Sequence, residues 1–242
     1  MPLLRTIMEF GIVAIVMIIS TPFGCVALIL RVVGFKPASI RITHKIAQIW
    51  ALVSIAGTGC TMRVLGQENI PCKGALCFVS NHSGLFDILL LLAYSKRPFG
   101  FIAKKELSFI PFLNVWILML GGYFIDRKNP RKAFATINRG VSHISKGGAM
   151  IIFPEGTRSK GRGLLPFRAG AFKLATRSNA QLVPIAITGS YDVFERQKSV
   201  IPRNVTVQFA PPIPPAEFET NEAKHQLAER VYGIIDEMLK TH

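Results

Sequence analysis

A chain of 242 residues is long enough for one well-packed α/β domain with a small appendage and short for two full domains. Half of its residues are apolar and its mean hydropathy is positive, at +0.36, so part of the surface is expected to face lipid. The formal charge of +15 suits an anionic partner. With no zinc-finger spacing, basic recognition helix or regular aromatic–basic interleaving, that partner is expected to be a membrane surface and not nucleic acid.

From Phe10 to Leu30 no residue is charged, and a helix of that length covers about 31 Å, the thickness of a hydrocarbon core. Ser20, Thr21 and Pro22 interrupt it, so a kink or a re-entrant hairpin competes with a straight span. No small-residue cleavage site follows, and a cleaved signal peptide is not expected. Gly34–Ser39 reads as a turn. A second segment, Ile40 to about Gly57, begins basic at Arg41 and Lys45 and then becomes apolar. Arg31, Lys36, Arg41 and Lys45 lie between the two segments, which places that connection, and with it the rest of the chain, on the cytoplasmic side. The expectation is a two-helix membrane anchor over residues 1–59, spanning or dipped into one leaflet; a buried pair of core helices competes with it.

From residue 60 to 242 the pattern changes. Seven short apolar runs recur between polar helical stretches: Cys60–Leu65, Ala75–Ser80, Phe99–Ala103, Tyr123–Ile125, Ala149–Phe153, Leu182–Thr188 and Val205–Phe209. Before the fifth run, Asn129 and Pro130 open a helix whose buried stripe is expected at Phe134, Ile137, Val141 and Ile144. A further helix is expected from about Ala169 to Arg177, and a last one from near Thr220, burying Leu227, Val231, Ile234 and Met238. The proline-rich stretch Ala210–Pro215 is expected to wrap the surface. Strands alternating with helices give an α/β layer fold: a mixed seven-stranded sheet flanked by helices, behind the two-helix anchor.

The four cysteines, Cys25, Cys60, Cys72 and Cys77, match no zinc spacing and no disulfide framework. Cys72, Cys77 and His82 lack a fourth ligand at short spacing, so no metal is expected.

Three constellations carry chemistry. In Asn81-His82-Ser83-Gly84-Leu85-Phe86-Asp87, a strand feeds a Gly-containing turn and then a helix. His82 stands at the strand's exit, and Asp87 folds back over about one helical turn. A carboxylate that accepts the Nδ1 proton fixes the imidazole tautomer and leaves Nε2 as a base. The spacing alone is weak evidence; its place at a strand's C-terminal end, where open α/β sheets keep their crevices, strengthens it. In Gly121-Gly122-Tyr123-Phe124-Ile125-Asp126-Arg127, Arg127 emerges from a strand end to grip phosphate oxygens, or pairs with Asp126 on the surface. Lys104 and Lys105 precede this run. In Phe153-Pro154-Glu155-Gly156-Thr157-Arg158-Ser159, Gly156 permits close backbone approach to a ligand and Arg158 supplies a cation. Glu155 accepts from a substrate hydroxyl or holds the arginines. Val183-Pro184-Ile185-Ala186 reads as a buried strand with a structural proline.

In this order and spacing, His-x4-Asp, Gly-x-x-Phe-Ile-Asp-Arg, Phe-Pro-Glu-Gly-Thr-Arg-Ser and the Val-Pro-Ile strand resemble the four motifs of the glycerolipid acyltransferases. The chain looks most like the 1-acyl-sn-glycerol-3-phosphate, or lysophosphatidic acid, acyltransferases over about residues 60–215. Leu164-Leu165-Pro166-Phe167-Arg168-x-Gly170-Ala171-Phe172-Lys173-Leu174-Ala175 is similar to the family too. Asn114 departs from it, where a glycine commonly follows Pro111-x-x. The resemblance implies that His82 acts as general base on the sn-2 hydroxyl of lysophosphatidic acid, with Asp87 orienting it. The oxygen attacks an acyl thioester, acyl-CoA or acyl-carrier protein, directly and without a bound cofactor. Arg127 and Arg158, with Lys104 or Lys105, hold the acceptor phosphate, and Glu155, Gly156 and Thr157 line its site. No Gly-x-Ser-x-Gly elbow supports a serine nucleophile. The competing functions are another lysolipid or glycerol-3-phosphate as acceptor, thioester hydrolysis, and a non-catalytic lipid-binding scaffold. The two arginines disfavour hydrolysis, since water needs no phosphate clamp.

The run Phe109–Leu120 is read as core in preference to an acyl groove. Lys160, Arg162, Arg168, Lys173 and Arg177 are read as a solvated face that also suits anionic lipid. A bacterial inner membrane, with the catalytic domain on its cytoplasmic side, fits these expectations.

Overall fold

Seven strands form at the seven apolar runs in the computed structural model, which describes residues 2–110 and 113–241. They are β1 (Thr61–Leu65), β2 (Leu76–Ser80), β3 (Gly100–Lys104), β4 (Tyr123–Ile125), β5 (Ala149–Ile152), β6 (Gln181–Thr188) and β7 (Asn204–Phe209). They make one mixed sheet in the order β1-β7-β6-β2-β5-β3-β4, parallel throughout except where β6 meets β7. The central strands β2 and β5 are buried along their whole length, which is why their sequences run continuously apolar instead of alternating. Their side chains still divide by parity. Leu76, Phe78 and Ile151 enter one core cluster, and Cys77, Val79, Met150 and Ile152 enter the other. Burial pushes the Cys77 thiol up to about 12.

Helices cover both faces. On the first lie α1 (Pro2–Val32), α2 (Lys36–Thr58), α3 (Phe86–Tyr94) and the short α4 (Leu113–Met119). On the second lie α5 (Pro130–Ser145), α6 (Lys173–Ser178) and α8 (Asn221–Lys240), while α7 (Ser190–Val193) is a single turn after β6. The connection from β2 through α3 and that from β5 through α6 leave neighbouring strands in opposite directions on opposite faces. Right-handed crossovers demand that arrangement, and it opens a crevice beyond the C-terminal ends of β2 and β5.

Several details differ from the sequence expectation. Residues 2–32 form one continuous helix with Pro22 inside it, neither kinked into two elements nor folded back as a hairpin. The turn is confined to Val33–Phe35, because α2 already starts at Lys36 with Pro37 in its first turn, where a proline's missing N–H costs nothing. Among the described residues one helix, α1, is long and apolar enough to cross a membrane. In contrast, α2 contributes Ala47, Ala51 and Ile55 to the same core as β2 and α3.

Asn129 caps α5 through its side chain, but Phe134 is 57 % exposed, its ring lying under the Arg177 guanidinium. Ile144 is buried as expected and Ile137 and Val141 pack half-buried against the core, while the fully buried line runs through Thr136, Gly140 and Ile144. The segment read as one helix from Ala169 splits into a 3-10 turn, Ala169–Phe172, and α6. Thr220 caps α8, which buries Leu227, Ala228, Val231, Ile235 and Met238, with Ile234 only half-buried. The proline-rich stretch does not simply wrap the surface: Ile213 is buried and exchanges backbone hydrogen bonds with Leu182. Prolines on either side of one free N–H donor still permit a single bridge.

Candidate active site

All the loops singled out by their chemistry leave the C-terminal ends of parallel strands: His82 follows β2, Lys105 follows β3, Arg127 follows β4 and Glu155–Arg158 follow β5. His82 and Asp87 meet, with Nδ1 and Oδ2 2.8 Å apart. Asp87 is fully buried in the first turn of α3, where a negative charge is favoured by the helix's free N–H groups. Its Oδ2 also accepts from the backbone N–H of Ser83 (2.7 Å) and Gly84 (2.9 Å). Oδ1 is buried and has no partner among the described residues. With a carboxylate as acceptor, Nδ1 carries the imidazole proton and Nε2 is left with its lone pair. The ring stacks on Phe153, centroids 4.1 Å apart, and the His82 side chain keeps 17 % exposure. The imidazole is thus held at Nδ1 and on one face while remaining partly open to solvent.

The loop after β2 is locked to the loop after β5. The Glu155 carboxylate accepts from the His82 N–H (2.6 Å) and from the Leu165 N–H (3.2 Å). In return the Ser159 N–H donates to the His82 carbonyl at 2.7 Å. Asn81 clasps β6 by a pair of 2.9 Å bonds with Ile187. Burial pushes the Glu155 carboxyl above its ordinary value, opposed by the two amide hydrogen bonds. Both Glu155 oxygens are thus engaged by main chain. The expectation that Glu155 holds the arginines is not met among the described contacts.

Arg127 is exposed and donates to the Gly156 carbonyl at 2.7 Å. It makes no pair with Asp126, which instead accepts from Lys105 at 2.8 Å. That bond raises the Lys105 ammonium and lowers the Asp126 carboxyl. Lys104 stands 3.5 Å from Glu106, both well exposed. Gly156 has φ +72°, a conformation side-chain-bearing residues rarely adopt, and the Arg168 guanidinium lies against it. Thr157 is exposed beside it. Arg158 pairs with Glu195, Nη1 to Oε1 2.5 Å. The structure therefore gathers His82, Asp87, Arg127, Glu155, Gly156, Thr157 and Arg158 into one crest, with Lys104 and Lys105 at its β3–β4 end.

Three participants were not singled out in the sequence: Phe153 as the plate under His82, Arg168 as a third arginine at the Gly156 turn, and Glu195. Arg168 stood in the sequence as a surface cation and inside the family-like stretch Leu164–Ala175, with nothing to assign it to the Gly156 turn. Glu195 stands 110 residues beyond its partner Leu85, with no motif to mark it.

A cavity of about 360 Å³ lies between α1, α2, α3 and α4, walled by Ala47, Trp50, Leu89, Phe101, Trp116 and Leu120 among others. It runs along the helix that carries Asp87. The apolar run before β4 is thus neither simply core nor simply groove. Ile117, Met119 and Leu120 are buried, while Phe109, Ile110, Leu113, Val115 and Leu118 are exposed; Pro111 and Phe112 lie outside the described residues. Asn114 spans the start of α4, donating to the Ser108 carbonyl (3.0 Å) and accepting from the Val115 N–H (2.7 Å). The polar contacts thus stay clear of the cavity wall.

Comparison with known proteins gives a consistent result. The model of the acyltransferase family matches residues 61–188. The chain is 33 % identical to a chloroplastic 1-acyl-sn-glycerol-3-phosphate acyltransferase of Arabidopsis thaliana, over 89 % of this chain and 59 % of that one. It is 31 % identical to the Saccharomyces cerevisiae enzyme of the same name, over 76 % and 60 %, and 30 % identical to that of Salmonella typhimurium, over 69 % and 67 %. The chain thus spans about three-fifths of the length of the plant and yeast relatives. The crystal structure of the 1-acyl-sn-glycerophosphate acyltransferase PlsC from Thermotoga maritima shares the fold, with a TM-score of 0.81 at 24 % identity, covering 100 % of this chain and 99 % of that one.

Proposed function

The chain belongs to the acyltransferase family, and on that premise we propose that it moves a fatty acyl group from a thioester to the sn-2 hydroxyl of 1-acyl-sn-glycerol-3-phosphate, giving phosphatidic acid. The observation that carries the reading is the His82–Asp87 pair, 2.8 Å apart, opening onto a crest with arginines on two neighbouring loops. His82 Nε2 removes the proton of the acceptor hydroxyl. The oxygen attacks the thioester carbonyl, a C–O bond forms, the C–S bond breaks, and the departing thiolate takes the proton back. Asp87 holds the ring and stabilises its charged form. Arg127, Arg158 and Gly156, with Thr157 and the lysines Lys104 and Lys105 nearby, receive the phosphate. Glu155 serves by shaping the loop, since its oxygens are already bonded to main chain. The cavity beside α3 takes the acyl chain.

The donor is acyl-CoA or acyl-carrier protein, and no bound cofactor or metal takes part. The anchor in this reading comprises residues 1–59, ahead of the acyltransferase domain at 60–242. It sits on the anionic lipid of a bacterial inner membrane, with the domain on the cytoplasmic side, and α2 serves both anchor and core. At about 1.5 Å per residue α1 is some 46 Å long, more than a hydrocarbon core requires, and only 6 % of its apolar window is buried; both suit a helix in lipid, crossing it at a tilt or dipped into one leaflet.

The test is to incubate the purified protein with acyl-CoA or acyl-carrier protein and a panel of lysolipids, glycerol-3-phosphate and water alone. Phosphatidic acid is the expected product. Free fatty acid as the sole product would replace transfer by hydrolysis, and an acyl-serine trapped on Ser83 would replace direct attack.

A further inference from the structure

We propose that Glu195 is a positioning residue for the acceptor site: its one carboxylate fixes Arg158 for the substrate phosphate and ties it to the loop that carries His82. The role in substrate binding rests on the acyl-transfer reading above; the hold on Arg158 is decided separately below.

The geometry is specific. Glu195 follows the single turn α7 at the exit of β6 and reaches back over the crest. Oε1 accepts from Arg158 Nη1 at 2.5 Å, and Oε2 accepts from the Leu85 N–H at 2.7 Å. Leu85 caps α3, the helix of Asp87. One side chain therefore joins three loops, those after β2, β5 and β6. Gly84 makes room for it: a Cβ there would stand 2.0 Å from Glu195 Oε2, so any larger residue would displace the carboxylate. The Glu195 side chain is 17 % exposed and that of Arg158 34 %, so the pair is partly withdrawn from water and less screened than a surface pair. Arg158 has no other hydrogen-bond partner among the described contacts, which leaves the remaining donors of its planar fork for an anion. The carboxylate thus holds the guanidinium in one rotamer before the phosphate arrives, removing an ordering cost at binding. The opposite influence is like-charge repulsion between carboxylate and phosphate. It is the smaller of the two where the phosphate binds the donors of Arg158 that Glu195 leaves unused, since the guanidinium then separates the two anions.

The experiment uses the full chain and two readouts. In the first, phenylglyoxal modification of Arg158 is followed by mass spectrometry with no substrate present. Glu195→Gln, which keeps an oxygen for the Leu85 N–H, is expected to speed modification at least about threefold. An unchanged rate would overturn the hold on Arg158, whether or not the protein acylates any lysolipid. In the second, Glu195→Gln is expected to raise KM for lysophosphatidate roughly three- to tenfold, with kcat nearly unchanged, as an unfrozen side chain must be ordered at binding. In an Arg158→Ala background the same substitution is expected to leave KM where it was, whereas a general loosening of the fold would act equally in both backgrounds. Equal effects in both backgrounds would overturn the proposal, as would a KM that falls or stays constant in Glu195→Gln alone. Absence of all acylation by the unsubstituted protein would instead remove the acyl-transfer reading, leaving the phenylglyoxal result to stand for the hold on Arg158.

Discussion

The loops above β2 and β5 and the flank built by α1, α2 and α4 are held together by different physics. Above the strands, directed contacts of 2.6–2.9 Å join His82, Asp87, Asn81, Glu155 and Ser159 to main chain or to each other. Side chains there have one geometry available. Along the flank, Ile18, Ile19, Phe23, Phe109 and Leu113 are exposed and apolar, and the cavity between the helices is walled mostly by apolar side chains, with Ser20 among them. Polar groups withdrawn from water must find partners, so they specify positions; apolar contact is nondirectional and specifies only volume. The proposed reaction, which moves a proton at one end and accommodates a flexible hydrocarbon at the other, would use both kinds of order.

The largest effect is expected where the directed contacts converge. His82→Ala should lower kcat by about 10²–10⁴, the span of general-base action, with folding intact by thermal denaturation. Asp87→Asn should lower kcat too: its amide oxygen can take the place of Oδ2, but it carries no charge to stabilise the imidazolium formed when His82 takes a proton. Ser83→Ala should retain most of the activity. If His82→Ala keeps more than a tenth of the rate, the crest is a binding surface and not the seat of proton transfer.

Next in size is the lock beneath the site. Glu155→Ala strips acceptors from the half-buried His82 and Leu165 N–H groups, and leaving them short of a partner should cost about 1–3 kcal/mol of folding stability. Chemical denaturation measures this directly. A loss below half a kilocalorie would mean that water replaces the carboxylate and that the loop is looser than its bonds suggest.

The apolar flank responds by volume. Ala47→Leu adds bulk to the cavity wall and should shorten the preferred acyl chain by about two methylenes, each of which is worth roughly 0.8 kcal/mol when buried. A competition assay with thioesters of graded length reads the shift. An unchanged length profile, in a variant that folds normally, would assign the cavity to something other than the acyl chain.

What was legible in the sequence follows the same division. The central strands β2, β5 and β6 could be read because continuous burial leaves a continuous apolar run, whereas β1, β4 and β7 are part-buried or alternate and were marked only by short apolar or β-branched runs between turns. His82 and Asp87 could be read because strand, turn and helix lie within a few consecutive residues, so local geometry alone brings them together. Glu195 could not, since its meeting with Leu85 and Arg158 depends on the return of the chain through β6. Phe134 was misplaced for a related reason: periodicity gives the spacing of a helix face, while the neighbour it packs against sets the phase, and here the face centres on Gly140. Ile213 was hidden by its prolines, which mark irregular backbone without saying whether that backbone is buried. The apolar character of α1 was plain, but hydropathy says nothing of whether a helix crosses a leaflet or lies along it.

The smallest expected effect separates two groups of cations that are neighbours in sequence. Lys160 and Arg162 are exposed on the loop after β5, whose Ser159 and Lys160 N–H groups donate to the carbonyls of His82 and Ser83. Lys173 and Arg177 lie on α6, which packs into the second core cluster, across the sheet from the face covered by α2 and α3 and, outside them, α1. If α1 rests in a leaflet, a membrane plane that touches α1 and the crest cannot also touch α6. Neutralising Lys160 or Arg162 should therefore weaken binding to anionic liposomes by about 1 kcal/mol each, the usual contribution of a cation near such a surface. Neutralising Lys173 or Arg177 should leave binding unchanged, and dilution of the anionic lipid should erase the difference. Equal losses from both groups would mean that the whole stretch faces lipid and that α1 leaves the domain at a different angle. Co-sedimentation at two lipid compositions distinguishes these outcomes, and it does so without any assay of chemistry, so the proposed orientation on a membrane is decided apart from the proposed reaction.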